Sequence, residues 1–598
     1  MKEEPNSIWK KPWKGPRGLL LFWLFVLVAT FLVIFSVGLL ARIADSAADL
    51  VLISIIGAAV VAVTGMLMFS FIRWLCHWRN FKRFLFGLAC FVTLIALFFV
   101  EENWRGKRAW EKYKQGWEAN GLQFGPAAGI PAPVPDDRNF AMAPVFDGVN
   151  KLMDEKWRAQ HRNPHRGQAG DQMEWDTNLV NPLEMTISEN GENPTNGVGN
   201  WQKSTLSDLK AWQEYYRALA TRTNQFPVPP QPQSPARDVL LALSPYDSTI
   251  EELGQAAKLP DARFPISYDT DPPAAILLPH LAGLKHAAQV SQLRALAELQ
   301  NGQSDKALAD VKIILRLSDS IKNEPFLISH LVRIAIVNLA LQPVWEGLVA
   351  HEWSDAQLRE LDEGLARVDL LADYHTAMRG ELMLCQIGDI EYLRHYPEET
   401  PNMAGEGSGD FSSRIPGLTI WYAIPSGWFY QNELRCARAM LEYYLPMADV
   451  HGRLVRPGEV QREDAAVASE LKHLNPYNVF ARLLLPALGA AVKKSAFGQE
   501  SLDLARTAIA LERYRLAHGG YPESLESLVP QFLGKLPHDI INGEPLHYRL
   551  TADGQFVLYS IGWNEVDDGG VVVLYKGSSN RVDLSKGDWV WNSSASRN

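Results

Sequence analysis

His375, Arg379 and Glu381 fall within two turns of a segment that reads as helix, so an imidazole, a guanidinium and a carboxylate occupy neighbouring positions. Such a set could carry out acid–base hydrolysis, although a solvated face or a buried ion pair explains the same spacing more simply. His280 and His286 also share a helical segment, but without the HExxH spacing that holds zinc beside a general base. In Gly405-Glu406-Gly407-Ser408-Gly409 the serine stands fourth rather than third, and neither a strand before nor a helix after it is visible, so a nucleophile elbow is not met. No P-loop or dinucleotide fingerprint occurs. The four cysteines show no CxxC or Cys/His spacing for zinc; Cys385 and Cys436 read as two buried thiols, with a disulfide between them as the alternative. No catalytic constellation emerges, and no catalytic or cofactor-binding residue is expected from motifs alone.

The 598-residue chain that must position any chemistry has its apolar mass concentrated at the start. Residues 18–41 and 50–72 each run about 23 positions without a charge and 84–100 about 17, against the roughly 20 needed to cross a hydrocarbon core. Trp74, Trp78 and Trp104 flank the third stretch at interface depth, and three transmembrane helices are expected. The first stretch is too long for the apolar core of a cleavable signal. Lys2, Lys10, Lys11, Lys14 and Arg17 precede the first span, Arg73, Arg79, Lys82 and Arg83 lie between the second and third, and Arg42 is alone in the first loop. That bias predicts a cytoplasmic N-terminus in the cytoplasmic (inner) membrane and an extracytoplasmic, periplasmic remainder. The spans hold no charge, so a channel or transporter is not expected, while Gly57, Gly65 and Gly87 offer places for close helix approach.

The first 100 positions carry about 10 basic against 4 acidic residues, leaving about 48 against 64 beyond them. An acidic soluble part repels nucleic acid, so the expected partners are the lipid bilayer and other envelope proteins; no small-molecule ligand is indicated. The expected fold is mainly α, with a membrane anchor over 1–103, an exit helix, Pro-rich spacers and a polar insertion over 104–235, a helical, repeat-like domain over 236–499 and a small α+β module over 500–592. Trp104, Trp110, Tyr113 and Trp117, mixed with Arg and Lys, suit a helix leaving the membrane through the headgroup zone. Prolines over 125–137 predict an extended spacer, and 154–203, rich in Asn, Gly and Gln, a long loop.

Leu293, Leu296 and Leu299 form one helical stripe and Ala307, Val311, Ile314 and Leu315 another, with Asn301-Gly302-Gln303-Ser304 turning between them. The run from Arg294 to Leu315 resembles a tetratricopeptide-type hairpin, with small residues at Ala295 and Ala307, but no 34-residue recurrence follows. Residues 326–341 are apolar almost all round yet interrupted by His330, Arg333 and Asn338, which predicts a core helix rather than a fourth span. Residues 397–416 read as a loop.

The most specific pattern lies over 504–570. A helix bearing Tyr514 leads into His518-Gly519-Gly520-Tyr521-Pro522; a short helix to Pro530 follows, then Leu536-Pro537-His538-Asp539, Gly543-Glu544-Pro545-Leu546-His547-Tyr548 and Leu558-Tyr559-Ser560-Ile561-Gly562. Glycines end a helix whose apolar face includes Ala508, Leu511 and Leu516, and two alternating segments, 546–550 and 556–561, flank the hairpin signature Asp553-Gly554. Together these marks resemble the globular domain of the major pseudopilin of type II secretion systems, over about 70 to 90 of the 598 residues. The resemblance implies a helix followed by a small antiparallel sheet. A pseudopilin begins with a cleavable basic leader and an apolar helix; here the matching region is internal and carries Lys493 and Lys494, so assembly into a fibre by the family's route is not expected.

In that family the loop after the LYSIG-like strand binds calcium. The resemblance therefore implies calcium as a cofactor, with Asn564, Asp567, Asp568 and Asp588 as metal ligands, an oxygen set of the kind this cation takes. The function expected is a membrane-anchored extracytoplasmic interaction or scaffold protein of the cell envelope, with a link to secretion; a membrane-tethered hydrolase using His375 and Glu381 is the alternative.

Overall fold

The computed structural model describes residues 16–41, 47–154, 181–194, 197–396, 424–473, 475–485, 488–577 and 581–595. The expected loop over 397–416, with its Gly-Ser pattern, lies outside the described residues, as do most of the basic residues before the first span. Contacts divide the chain into two units, Met1–Glu102 and Asn103–Asn598.

The first unit holds α1 (Pro16–Ala41), α2 (Ala47–Leu75) and the apolar start of α3 (Trp78–Glu118). Unbroken apolar runs favour helix here because only a helix satisfies every backbone polar group within its own segment when lipid surrounds it. Val51–Leu75 and Trp78–Glu118 are long and apolar enough to cross a membrane, and α1 carries the shorter apolar stretch Phe22–Val37. Three apolar helices suggest a membrane protein. Two of the expected close approaches occur: a Cβ at Gly65 would lie 2.6 Å from the Trp23 ring and one at Gly57 2.9 Å from Ile34, whereas Gly87 has nothing within 4 Å.

The second unit is mainly helical. The exit segment continues α3, yet its aromatic row is turned toward protein: Trp110 is 4 % exposed and meets Phe124 edge-on, and Arg438 lies over the Tyr113 ring. Only Trp104 stays open, at 61 %. The headgroup reading of Trp110 and Tyr113 is thus replaced by packing, since an apolar ring with one polar atom suits either environment. The polar insertion is likewise part core, with Leu183, Met185, Ile187 and Trp201 buried.

Helices α4 (Leu209–Leu219), α5 (Pro235–Leu243) and α6 (Asp247–Ala256) follow. Asp208 caps the first through the Ala211 amide, and Ser234 with Pro235 starts the second. Next, α7 (His280–Gln300) and α8 (Ser304–Asp319) form the expected antiparallel hairpin, turned at Gly302, whose φ of 70° a side chain would strain. Packed across both is α9 (Leu327–Val349). By length and composition α9 could also span a membrane, but 61 % of its apolar window is buried inside the protein, as a core helix requires. A Ser354–Gln357 capping box opens α10 (Asp355–Ala366). A π-helical turn, Glu381–Gln386, joins α11 (Leu370–Gly380) to α12 (Ile387–His395), and another, Ala439–Tyr444, continues α13 (Ser426–Arg438). A two-residue ribbon of β1 (Ala448–Asp449) and β2 (Leu454–Val455) precedes α14 (Pro457–Glu470), α15 (Val479–Leu484) and the long α16 (Leu488–His518).

After Gly519 the chain builds β3 (His547–Leu550), β4 (Phe556–Ser560), β5 (Val572–Leu574), β6 (Val582–Gly587) and β7 (Trp589–Asn592). The order β3-β4-β7 is antiparallel throughout, with His547 opposite Tyr559 and Ser560 opposite Trp589, and β5-β6 form a separate ribbon. The sheet and the hairpin lie where expected, with two differences. All of β4 is buried, because Val557 and Tyr559 are covered by Val572 and Val590 on the face opposite the main core. Leu516 is 44 % exposed rather than part of the apolar face, since α16 outruns its packing partners near its end.

Candidate functional site

Four segments of the second unit meet around a groove of about 600 Å³. Helix α14 supplies Val460, Asp464, Val467 and Leu471, a single face at helical spacing that starts just after a proline suited to the first turn. Arg482 and Leu485 come from the end of α15, Gly489, Ala490 and Lys493 from α16, and Trp563 and Ser585 from the C-terminal module. Gly489 is needed for closeness: a methyl there would collide with the Asp464 carboxylate. That carboxylate accepts a hydrogen bond from the Tyr444 hydroxyl at 2.8 Å.

Lys493 is half-buried. Its ammonium donates to Ser585 Oγ at 2.6 Å and lies 5.9 Å from the centre of the Trp563 ring. Arg482 is exposed and donates weakly to the Lys472 carbonyl at 3.4 Å. Among the described residues, neither cation has a carboxylate within ion-pairing distance. The groove thus joins an apolar floor to two cations and one carboxylate already held by a hydroxyl.

The acidic loop lies beside this groove in sequence, after Trp563. Its four predicted ligands do come together, but around N–H donors. Asp588, 2 % exposed, accepts from the Asp568 amide at 3.2 Å with Oδ1 and from the Gly570 and Val571 amides at 2.6 and 3.2 Å with Oδ2. Burial pushes its carboxyl up, against the pull of those amides. Asn564 donates to Asp568 at 2.8 Å, and the Gly569 amide holds the Asp567 carboxyl below its ordinary value. Calcium takes converging oxygens, and here donors converge on the central carboxylate, so the loop as folded does not fit the cation. Among the described residues no group of three His, Cys, Asp or Glu side chains could hold a metal ion.

The other candidates are dispersed. His375 Nε2 binds the Ala448 carbonyl at 2.7 Å, and burial lowers its pKa; Glu381 accepts the Leu327 amide at 3.0 Å, and burial raises its pKa. His280 is fully buried against Glu324 at 2.7 Å and stacked on Phe264, whereas His286 is exposed with a pKa lowered by partial burial. Cys385 and Cys436 are free thiols whose burial pushes both well above the ordinary value.

No family model, curated protein or solved structure matches this chain. The groove therefore stands on its own geometry. Motif reading missed it because its residues come from segments spread from Tyr444 to Ser585, up to 141 positions apart in sequence; Lys493, set in a helix running into the C-terminal module, is the one signal that could have drawn attention.

Proposed function

We propose that this chain is a membrane-anchored interaction protein of the cell envelope, with its large C-terminal region outside the cytoplasm and a role related to secretion. One observation supports this reading most: the C-terminal module is built into the helical body. Trp201 lies between Phe497, on which it stacks at 6.2 Å, and Trp591, against which it is tilted at 5.0 Å; Trp345 donates to the Asn592 carbonyl at 2.8 Å, and Asn592 donates to Ser204 Oγ at 2.7 Å. Such a body offers one preformed surface, the arrangement in which binding loses least to ordering. The pseudopilin-like pattern of the module is the reason for the secretion link, and calcium at its loop belongs to the same proposal only with a rearrangement that turns the amides away from Asp588.

Affinity capture with the full-length chain from detergent extracts tests the reading. Reproducible recovery of the same envelope proteins, lost when Trp201→Ala loosens the composite body, is expected; repeated empty captures would count against it. For the hydrolase alternative, His375 and Glu381 are each tied to a different backbone segment.

A further inference from the structure

We propose that the groove between α14, α16 and the C-terminal module binds a single-chain amphipathic anion, with its charged head at Lys493 and Arg482 and its apolar tail on Val460, Val467, Leu471 and Leu485. This deepens the reading of the groove as the candidate site and does not depend on which proteins the chain meets.

The charge balance carries the argument. Outside the first 100 residues acids outnumber bases by about 16, yet the two cations of this groove have no carboxylate partner among the described residues. The one carboxylate present, Asp464, is engaged by Tyr444 and leaves a net single positive charge. Lys493 has three donor hydrogens and gives one to Ser585, while its ammonium lies 5.9 Å from the centre of the Trp563 ring. Lys493 is half-buried and keeps two donor hydrogens for a further acceptor. An anionic head group supplies what is missing through charge-assisted hydrogen bonds.

The size and lining choose the class. About 600 Å³ lies in the range of small-molecule sites, and the floor beyond the cations is aliphatic, so inorganic phosphate would leave it unfilled. A straight alkyl chain ending in a carboxylate or a phosphate ester meets both demands.

The test uses the full-length chain in phosphatidylcholine nanodiscs, dialysed against radiolabelled dodecanoate or dodecyl phosphate, with uptake by empty discs subtracted. Saturable binding near one equivalent per chain is expected, with the better of the two probes naming the head group. The paired substitution Lys493→Gln and Arg482→Gln should weaken binding at least about tenfold, the scale of one lost charge-assisted bond. Lys493→Arg should retain binding, and Val467→Trp, which fills the floor, should abolish it with both cations in place. Dodecyltrimethylammonium should not compete. Uptake that is linear and equal for wild type and variants, or displaced equally by the cationic amphiphile, overturns the proposal. Intact capture of envelope proteins alongside absent anion binding would sink the ligand alone, and the reverse pattern would sink the interaction role alone.

Discussion

Asp588, itself buried, closes its loop by accepting three backbone N–H groups with one carboxylate, so its removal leaves three donors without that acceptor in a part-buried turn. Asp588→Ala should cost about 2–3 kcal/mol of stability, and Asp588→Asn less because one acceptor oxygen remains; thermal melting of the full chain measures both. The same geometry predicts that millimolar calcium and a chelator leave the wild-type melt unchanged. A calcium-dependent rise in Tm that Asp588→Ala abolishes would show that the loop rearranges into an oxygen cage after all. The acidic residues of this loop were legible in the sequence; the direction in which the amides point was not, since that follows from the positive φ of Gly569 and Gly570 and from the later return of Asp588 beside them.

At the scale of elements, α16 is unusual in being buried on every side along most of its length, and it carries acids into that interior. Glu500 is fully buried; one oxygen accepts the Ile540 amide at 3.0 Å and the other has no partner among the described residues. Around it stand Asp503 and Asp539, both buried, with Arg453 bound to Asp503 at 2.9 Å. Desolvation first, then repulsion from Asp539 and Asp503, raises the Glu500 pKa well above the ordinary 4.5. The folded state therefore keeps a proton that the unfolded chain releases above about pH 4.5, and stability falls as pH rises through that window. Glu500→Gln keeps an acceptor for Ile540 and removes the ionisation, so its melting temperature should decline less between pH 5 and pH 8 than that of the wild type. Equal slopes would show that Glu500 is not the group responsible. The hairpin of α7 and α8 was legible because two apolar stripes flank a glycine turn, whereas the buried part of 181–203 was not, because Leu183, Met185, Ile187 and Trp201 follow no helical period.

For the whole molecule, Trp201 is the clasp between the insertion, α16 and β7. Trp201→Ala should remove about 3–5 kcal/mol by opening a cavity at a three-way contact, read as a lower Tm without loss of the apolar helices from the membrane fraction. Orientation is tested separately: a reporter active only outside the cytoplasm should be active when fused after Gly121 and silent when fused between Arg73 and Arg83, and the opposite pattern would reverse the proposed compartment. The sequence by itself determined the apolar helices, the hairpin turned at Gly302 and the strands around Asp553-Gly554, because each follows from local periodicity, a glycine conformation or the need to satisfy backbone groups within one segment. Only the tertiary structure decided that Trp110 enters a protein core, that Leu183, Met185, Ile187 and Trp201 of the polar stretch are buried in it, and that Arg482, Lys493, Asp464 and Trp563 line one groove. The reason is that an apolar residue states a need for cover without stating what covers it, and a charge states a need for a partner without stating where in the chain that partner lies.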